Sequence, residues 1–129
     1  MAQVVVWGRR SLINARRRAL SDAIHGAVMA ALAYPPDKRF HRFVALSDDD
    51  FVYPADRGED YTIVEISMFA GRSDAAKRAL IRELFTRLQT EVGLDPQSVE
   101  ITITETPRVN WGIRGLNGAD LELGYSVDV

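Results

Sequence analysis

The chain has 129 residues, of which 47% are hydrophobic, with no cysteine and a formal net charge of −2 at pH 7. This length suits one domain with a real core, and the missing thiols exclude a disulfide framework or a thiolate metal site. The near-neutral charge gives no global field for nucleic acid or an anionic membrane, and no apolar run approaches a membrane span. The first residues lack a basic region followed by a long apolar one, so no signal peptide is expected and a cytoplasmic location is.

Residues 4–7, Val-Val-Val-Trp, are β-branched and aromatic and predict a strand. Leu20, Ile24, Val28 and Leu32 then recur at every fourth position, predicting a helix over about 14–33 that stops before Pro35-Pro36. Residues 39–46 predict a second strand, and the acidic stretch 47–60, broken by Pro54 and Gly58, predicts a loop. The order then repeats. Residues 61–69 predict a strand, Gly71 a turn, and Ser73 an N-cap with Asp74 in the first helical turn. Leu80, Leu84, Leu88 and Val92 repeat the helical stripe, and Gly93 predicts its C-cap. Val99, Ile101 and Ile103 alternate with polar residues, as a half-buried strand does. Leu121, Leu123, Tyr125 and Val127 also alternate, so a terminal strand or hairpin is expected within 107–129.

Trp7-Gly8-Arg9-Arg10-Ser11 and Phe69-Ala70-Gly71-Arg72-Ser73 occupy matching places, so a strand, an arginine-bearing turn and a helix occur twice. The expected fold is α+β, in one domain: repeat 1 at about 2–46, loop 47–60, repeat 2 at about 61–106 and a C-terminal hairpin at 107–129. Right-handed crossovers make the strands of each unit parallel, giving a four-stranded sheet with both helices on one face. The other face is expected to be apolar and uncovered, which implies assembly with further subunits.

The arginines clustered in Arg9, Arg10 and Arg16–Arg18 read as a solvated helix face, without the basic excess or interleaved aromatics of a nucleic-acid surface. Asp48-Asp49-Asp50 lacks the alternate spacing of a calcium loop, and no metal or other cofactor is expected. His25 and His41 read as half-buried packing residues rather than catalysts, and Phe51 and Tyr53 as candidates to fold over a pocket.

The stretch 71–81, Gly-Arg-Ser-Asp-Ala-Ala-Lys-Arg-Ala-Leu-Ile, is similar to the strand-to-helix turn of the tautomerase superfamily. Residues 24–28, 35–40 and 110–115 resemble its longer two-unit members, especially malonate semialdehyde decarboxylase, and the likeness spans nearly the whole chain. The resemblance implies a homotrimer in which each pocket draws on a neighbouring subunit. It also implies proton transfer on a small carboxylated carbonyl compound, with an N-terminal proline amine as base and arginines on the carboxylate.

Ala2 stands where the family has that proline. Removal of Met1 would leave a primary amine of ordinary pKa about 8, able to act as base or to form an imine, whereas a retained Met1 makes the nitrogen an amide. The resemblance puts Arg72 on the carboxylate, with its usual arginine partner replaced by Ala70 and the decarboxylase aspartate replaced by Lys38. Arg39 is the candidate for the missing charge, Trp111 for a pocket wall and Asn110 for a hydrogen bond to a substrate carbonyl. The rival expectation is a member that binds ligands or assembles without catalysis.

Overall fold

The computed structural model describes residues 2–129; Met1, and with it the question of its removal, lies outside the described residues. Strands β1 (Ala2–Arg9), β2 (His41–Leu46), β3 (Thr62–Phe69) and β4 (Val99–Thr106) form one sheet in the order β2-β1-β3-β4. β1 is parallel to β2, β3 is parallel to β4, and the central pair β1–β3 is antiparallel. Each outer pair is a β-α-β unit, closed by helix α1 (Arg10–Leu32) or α2 (Asp74–Arg87). The two units are thus related by an approximate two-fold between β1 and β3, as the repeated sequence requires.

Both helical stripes face the core, with only Val92 at the end of the second left half-buried. Leu20, Ile24, Leu32, Leu80, Leu84 and Leu88 show no exposure and pack against Val4, Val6, Val64 and Ile66 from alternate strand positions. α2 begins as expected: the Ser73 hydroxyl accepts from the Ala76 amide at 3.1 Å, with Asp74 in the first turn. It runs into a π-helical turn, Leu88–Val92, that Gly93 closes in a left-handed conformation.

α1 departs from expectation by starting at Arg10, four residues early. Its N-cap, Arg9, makes no side-chain cap and its first turn holds no acid. Packing decides instead: Leu12 and Ile13 are buried, and the place of an added Cβ on Gly8 lies 3.1 Å from Ile13 Cδ1, so helix and strand meet where a side chain is missing. α1 stops at Ala33, in the left-handed region at φ 51°, just before the prolines.

The open face of the sheet is less apolar than expected. Alternation places Val5, Trp7, Val44 and Ile63 there, but also Gln3, Arg42, Glu65, Thr102 and Thr104. The expected C-terminal hairpin is present, but earlier than the 121–127 alternation suggested. A short hairpin pairs β5 (Gly112–Ile113) with β6 (Leu116–Asn117) around Arg114 and Gly115, both at positive φ. Residues 121–129 form no strand. Leu121 and Val127 nonetheless turn inward, and the segment crosses the sheet end where β1 starts and β3 stops, with the Ser73 amide donating to the Val129 carbonyl at 2.8 Å.

Candidate active site

That crossed end gathers a cluster of buried polar groups. Ala2 pairs with Met68 across β1–β3 and is buried, so its nitrogen lies at the sheet end next to the turn that follows Phe69. The nitrogen donates to the Tyr34 hydroxyl at 3.1 Å. Tyr34 comes from the end of α1, is buried, and packs edge-on against Tyr125 with ring centres 5.2 Å apart. The two phenols also interact by hydrogen bonding, and burial, followed by that contact with Tyr34, pushes the Tyr125 phenol well above its ordinary pKa. Tyr125 therefore stays protonated, a hydrogen-bond donor at any ordinary pH.

Arg72 completes the cluster. Only 4% of it is exposed, yet among the described residues its guanidinium makes a single bond, Nη1 to the Phe69 carbonyl at 3.2 Å. Nε and Nη2 are buried without a partner among the described residues. Burial lowers the Arg72 pKa, opposed by the phenols of Tyr125 and Tyr34 and the carboxylates of Glu105 and Asp128. A guanidinium keeps its charge in such a place, so two strong donors are held dry and unused. Phe69, from whose carbonyl Arg72 hangs, is itself walled by Trp111 at a ring separation of 5.0 Å and by the Arg108 guanidinium.

The structure thus brings Ala2, Arg72 and, through Phe69, Trp111 to one end of the sheet. Asn110 lies exposed in the turn before Trp111, and its side chain makes no hydrogen bond among the described residues. Arg39 is not brought to the cluster. Its Nη1 donates to Asp22 Oδ1 at 2.6 Å and to Ser21 Oγ at 3.2 Å, holding the Asp22 carboxyl below its ordinary range on the outer side of α1. An adjacent carboxylate absorbs the charge that the sequence offered to a substrate.

The 47–60 loop is displaced likewise. It follows β2, which runs parallel to β1, so Phe51 and Tyr53 stack with Tyr61 at the end of β1 opposite Ala2. Arg9 lies there, over Tyr53 and 3.5 Å from Asp48. His25 Nε2 donates to the Pro36 carbonyl at 2.8 Å, and His41 Nδ1 is 2.8 Å from Ser21 Oγ. No three His, Asp or Glu side chains among the described residues are grouped to hold a metal ion, and no helix is long and apolar enough to cross a membrane.

The two tyrosines escaped sequence reading. A phenol directly after a helix stop, and one in an alternating apolar tail, carry no motif; only the fold brings positions 34 and 125 together.

Similarity to known proteins agrees with this fold. The 2-hydroxymuconate tautomerase of Pseudomonas putida is 35% identical over 57 residues, 90% of its own length but 44% of this chain, about the length of one β-α-β unit. A malonate semialdehyde decarboxylase inhibited by 3-bromopropiolate is 25% identical, with a TM-score of 0.76 over 85% of this chain and 87% of its own. A fused 4-OT described as a wild-type symmetric trimer matches at a TM-score of 0.78 with 22% identity, covering 92% of this chain and 99% of its own, which shows a shared fold. A family model described as tautomerase enzyme matches residues 38–114, more than half of the sequence and all of the second unit's strand–arginine–helix turn, and the chain belongs to that tautomerase family.

Proposed function

We propose that the chain is an isomerase or lyase that moves a proton on a small carboxylated carbonyl compound at the Ala2–Arg72 end of the sheet. The observation that carries this reading is Arg72, a buried cation with two unpartnered donors beside the start of β1. A substrate carboxylate would accept from Nε and Nη2 side by side, the bidentate geometry a guanidinium favours. With Met1 removed, the Ala2 amine would take a proton from the carbon next to the carbonyl, or from an enol hydroxyl, and return it at the new position. Tyr125, held protonated, would donate to the oxygen on which negative charge develops. Trp111 serves as a wall, acting through Phe69, and Asn110 offers an amide at the exposed rim.

Assembly as a homotrimer belongs to the same reading, supported by the partly apolar open face around Val5, Trp7 and Val44 and by the trimeric fused 4-OT. The absence of cysteine suits a cytoplasmic location.

The test is turnover of phenylenolpyruvate and 2-hydroxymuconate by protein whose Ala2 terminus has been shown free by intact mass spectrometry. Rates no higher than those of Arg72→Ala would sink it. One observation favours a second reading, a member that binds without turnover: alanine stands where the family pattern has proline. In that case Ala2→Pro creates activity that the native chain lacks.

A further inference from the structure

The nitrogen of Ala2 gives a hydrogen bond to a side chain from another element, the Tyr34 hydroxyl at 3.1 Å, and each of the two residues is only 4% exposed. Such a bond is only as definite as the hold on Tyr34, and that hold is firm. Ala33, just before it, lies in the left-handed region at φ 51°, which a residue with a Cβ adopts at a cost. Pro35, just after it, confines the Tyr34 backbone to extended conformations. The Pro36 carbonyl accepts from His25 Nε2 at 2.8 Å, which ties the segment back to α1. The Tyr34 ring packs edge-on against Tyr125, and the two phenols share a hydrogen bond. With its own proton on the Tyr125 side, the Tyr34 oxygen faces Ala2 as an acceptor.

The consequence concerns the residue type at position 2. Proline closes its nitrogen into a ring, so covalent geometry fixes both the place of the nitrogen and the direction of its lone pair. Alanine has no such ring. With Met1 removed, its amine turns among staggered orientations about the Cα–N bond and stands at the fraying start of a strand. A hydrogen bond from one N–H to a fixed acceptor ties the nitrogen down and excludes the orientation that aims the lone pair at Tyr34 instead of at a substrate.

We propose that Tyr34 is the positioning residue for the Ala2 amine, its hydroxyl oxygen doing for a primary amine what the ring does for proline. The proposal rests on the reading of Ala2 as the base. Tyr34 touches no reacting substrate atom; it acts through the nitrogen that does.

The experiment is steady-state ketonisation of phenylenolpyruvate by wild type, Tyr34→Phe, Ala2→Pro and Ala2→Pro/Tyr34→Phe, each with its terminus shown free by intact mass spectrometry. Phenylalanine keeps the ring against Tyr125 and removes only the oxygen. In the alanine chain Tyr34→Phe should lower kcat by about fivefold or more with KM little changed, because Arg72 still holds the carboxylate. In the proline chain the same substitution should cost clearly less. Disturbed packing alone would act alike in both backgrounds, so the difference between the two losses reads out positioning.

Equal losses in the two backgrounds, or no loss in either, overturn the role of Tyr34 and leave Ala2 as the base. Turnover by Ala2→Pro with none by wild type removes Ala2 as the base and the role of Tyr34 with it. Turnover by neither removes the proton-transfer reading as well. Circular dichroism shows whether the proline ring is tolerated at the buried strand start. Where it is not, nitrogen NMR titration of the terminal amine in wild type and Tyr34→Phe decides. An ammonium that donates to Tyr34 gives up its proton at lower pH once the oxygen is gone, and an unchanged midpoint overturns the contact. The other ionisable groups gathered around Arg72, namely Tyr125, Glu105 and Asp128, are common to both proteins.

Discussion

Replacing Arg72 by methionine should make the unliganded protein more stable while removing its response to carboxylates. The native guanidinium is 4% exposed and leaves Nε and Nη2 without partners. An unsatisfied buried donor costs about 1–3 kcal/mol, so the pair weighs roughly 2–6 kcal/mol against the folded state. Against this stands the bond from Nη1 to the Phe69 carbonyl, about 1.5–3 kcal/mol for a charged donor, which methionine also removes. Methionine fills the space of the aliphatic stem, so little cavity opens. Taken at the centres of these ranges, the balance is a gain of about 2 kcal/mol. For a chain of this length 1 kcal/mol moves the midpoint by about 3–4 °C, giving a rise of roughly 6–8 °C. Thermal and urea unfolding followed by circular dichroism at matched protein concentration measure this, with and without added succinate. Wild type should gain stability with succinate and the variant should not. A variant less stable than wild type by 1 kcal/mol or more would refute the reasoning, because it would mean that the buried cation supports the fold rather than waiting for an anion.

Three further outcomes follow from the same coordinates. His41 titrates at about 4, pushed down first by burial and then by the charges of Arg39 and His25, so the folded state binds fewer protons than the unfolded one between about 4 and the ordinary 6.5. Stability is therefore full above pH 6.5 and falls as pH drops through that window. The shift corresponds to roughly 3 kcal/mol, reduced by solvent screening to about 1–2 kcal/mol, and His41→Gln should flatten the profile in urea titrations at several pH values. Leu84→Ala, at a position with no exposure between the helix layer and the sheet, should cost about 2–5 kcal/mol in the same assay. Gly71→Ala should cost about 1–3 kcal/mol, since Gly71 sits at φ 132° and a Cβ would lie 3.0 Å from Asp128 Oδ1. Hydrogen exchange at the Ser73 amide, which donates to Val129, should speed up in that variant as the tail lifts.

The fold was largely legible in the sequence because it is carried by periodicity. The every-fourth stripes, the Ser73 cap and the glycine after α2 all act through neighbours within a few positions. The misplaced start of α1 has the opposite character: Arg9 and Arg10 carry no start signal, and the contact of Ile13 with Gly8 sets the boundary. The site divides along the same line. Arg72 could be found because its turn is contiguous, but the Tyr34–Tyr125 contact joins positions far apart, and the diversion of Arg39 to Asp22 crosses from β2's approach to the face of α1. Charge in a sequence says how many cations there are; only geometry says which of them are already neutralised.

The approximate two-fold between β1 and β3 also divides the chain's spectroscopic labels. The sequence holds two tryptophans, and the fold sends one to each end: Trp7 pairs with Ile63 near the Arg9 end, and Trp111 packs on Phe69 near the Arg72 end. Single Trp→Phe variants would therefore give two reporters in one framework. An acid that binds at Arg72 should quench or shift the emission of Trp111 and leave Trp7 dark to it. General loosening of the sheet should move both, so the molecule's internal symmetry supplies a reference channel for its own ligand signal.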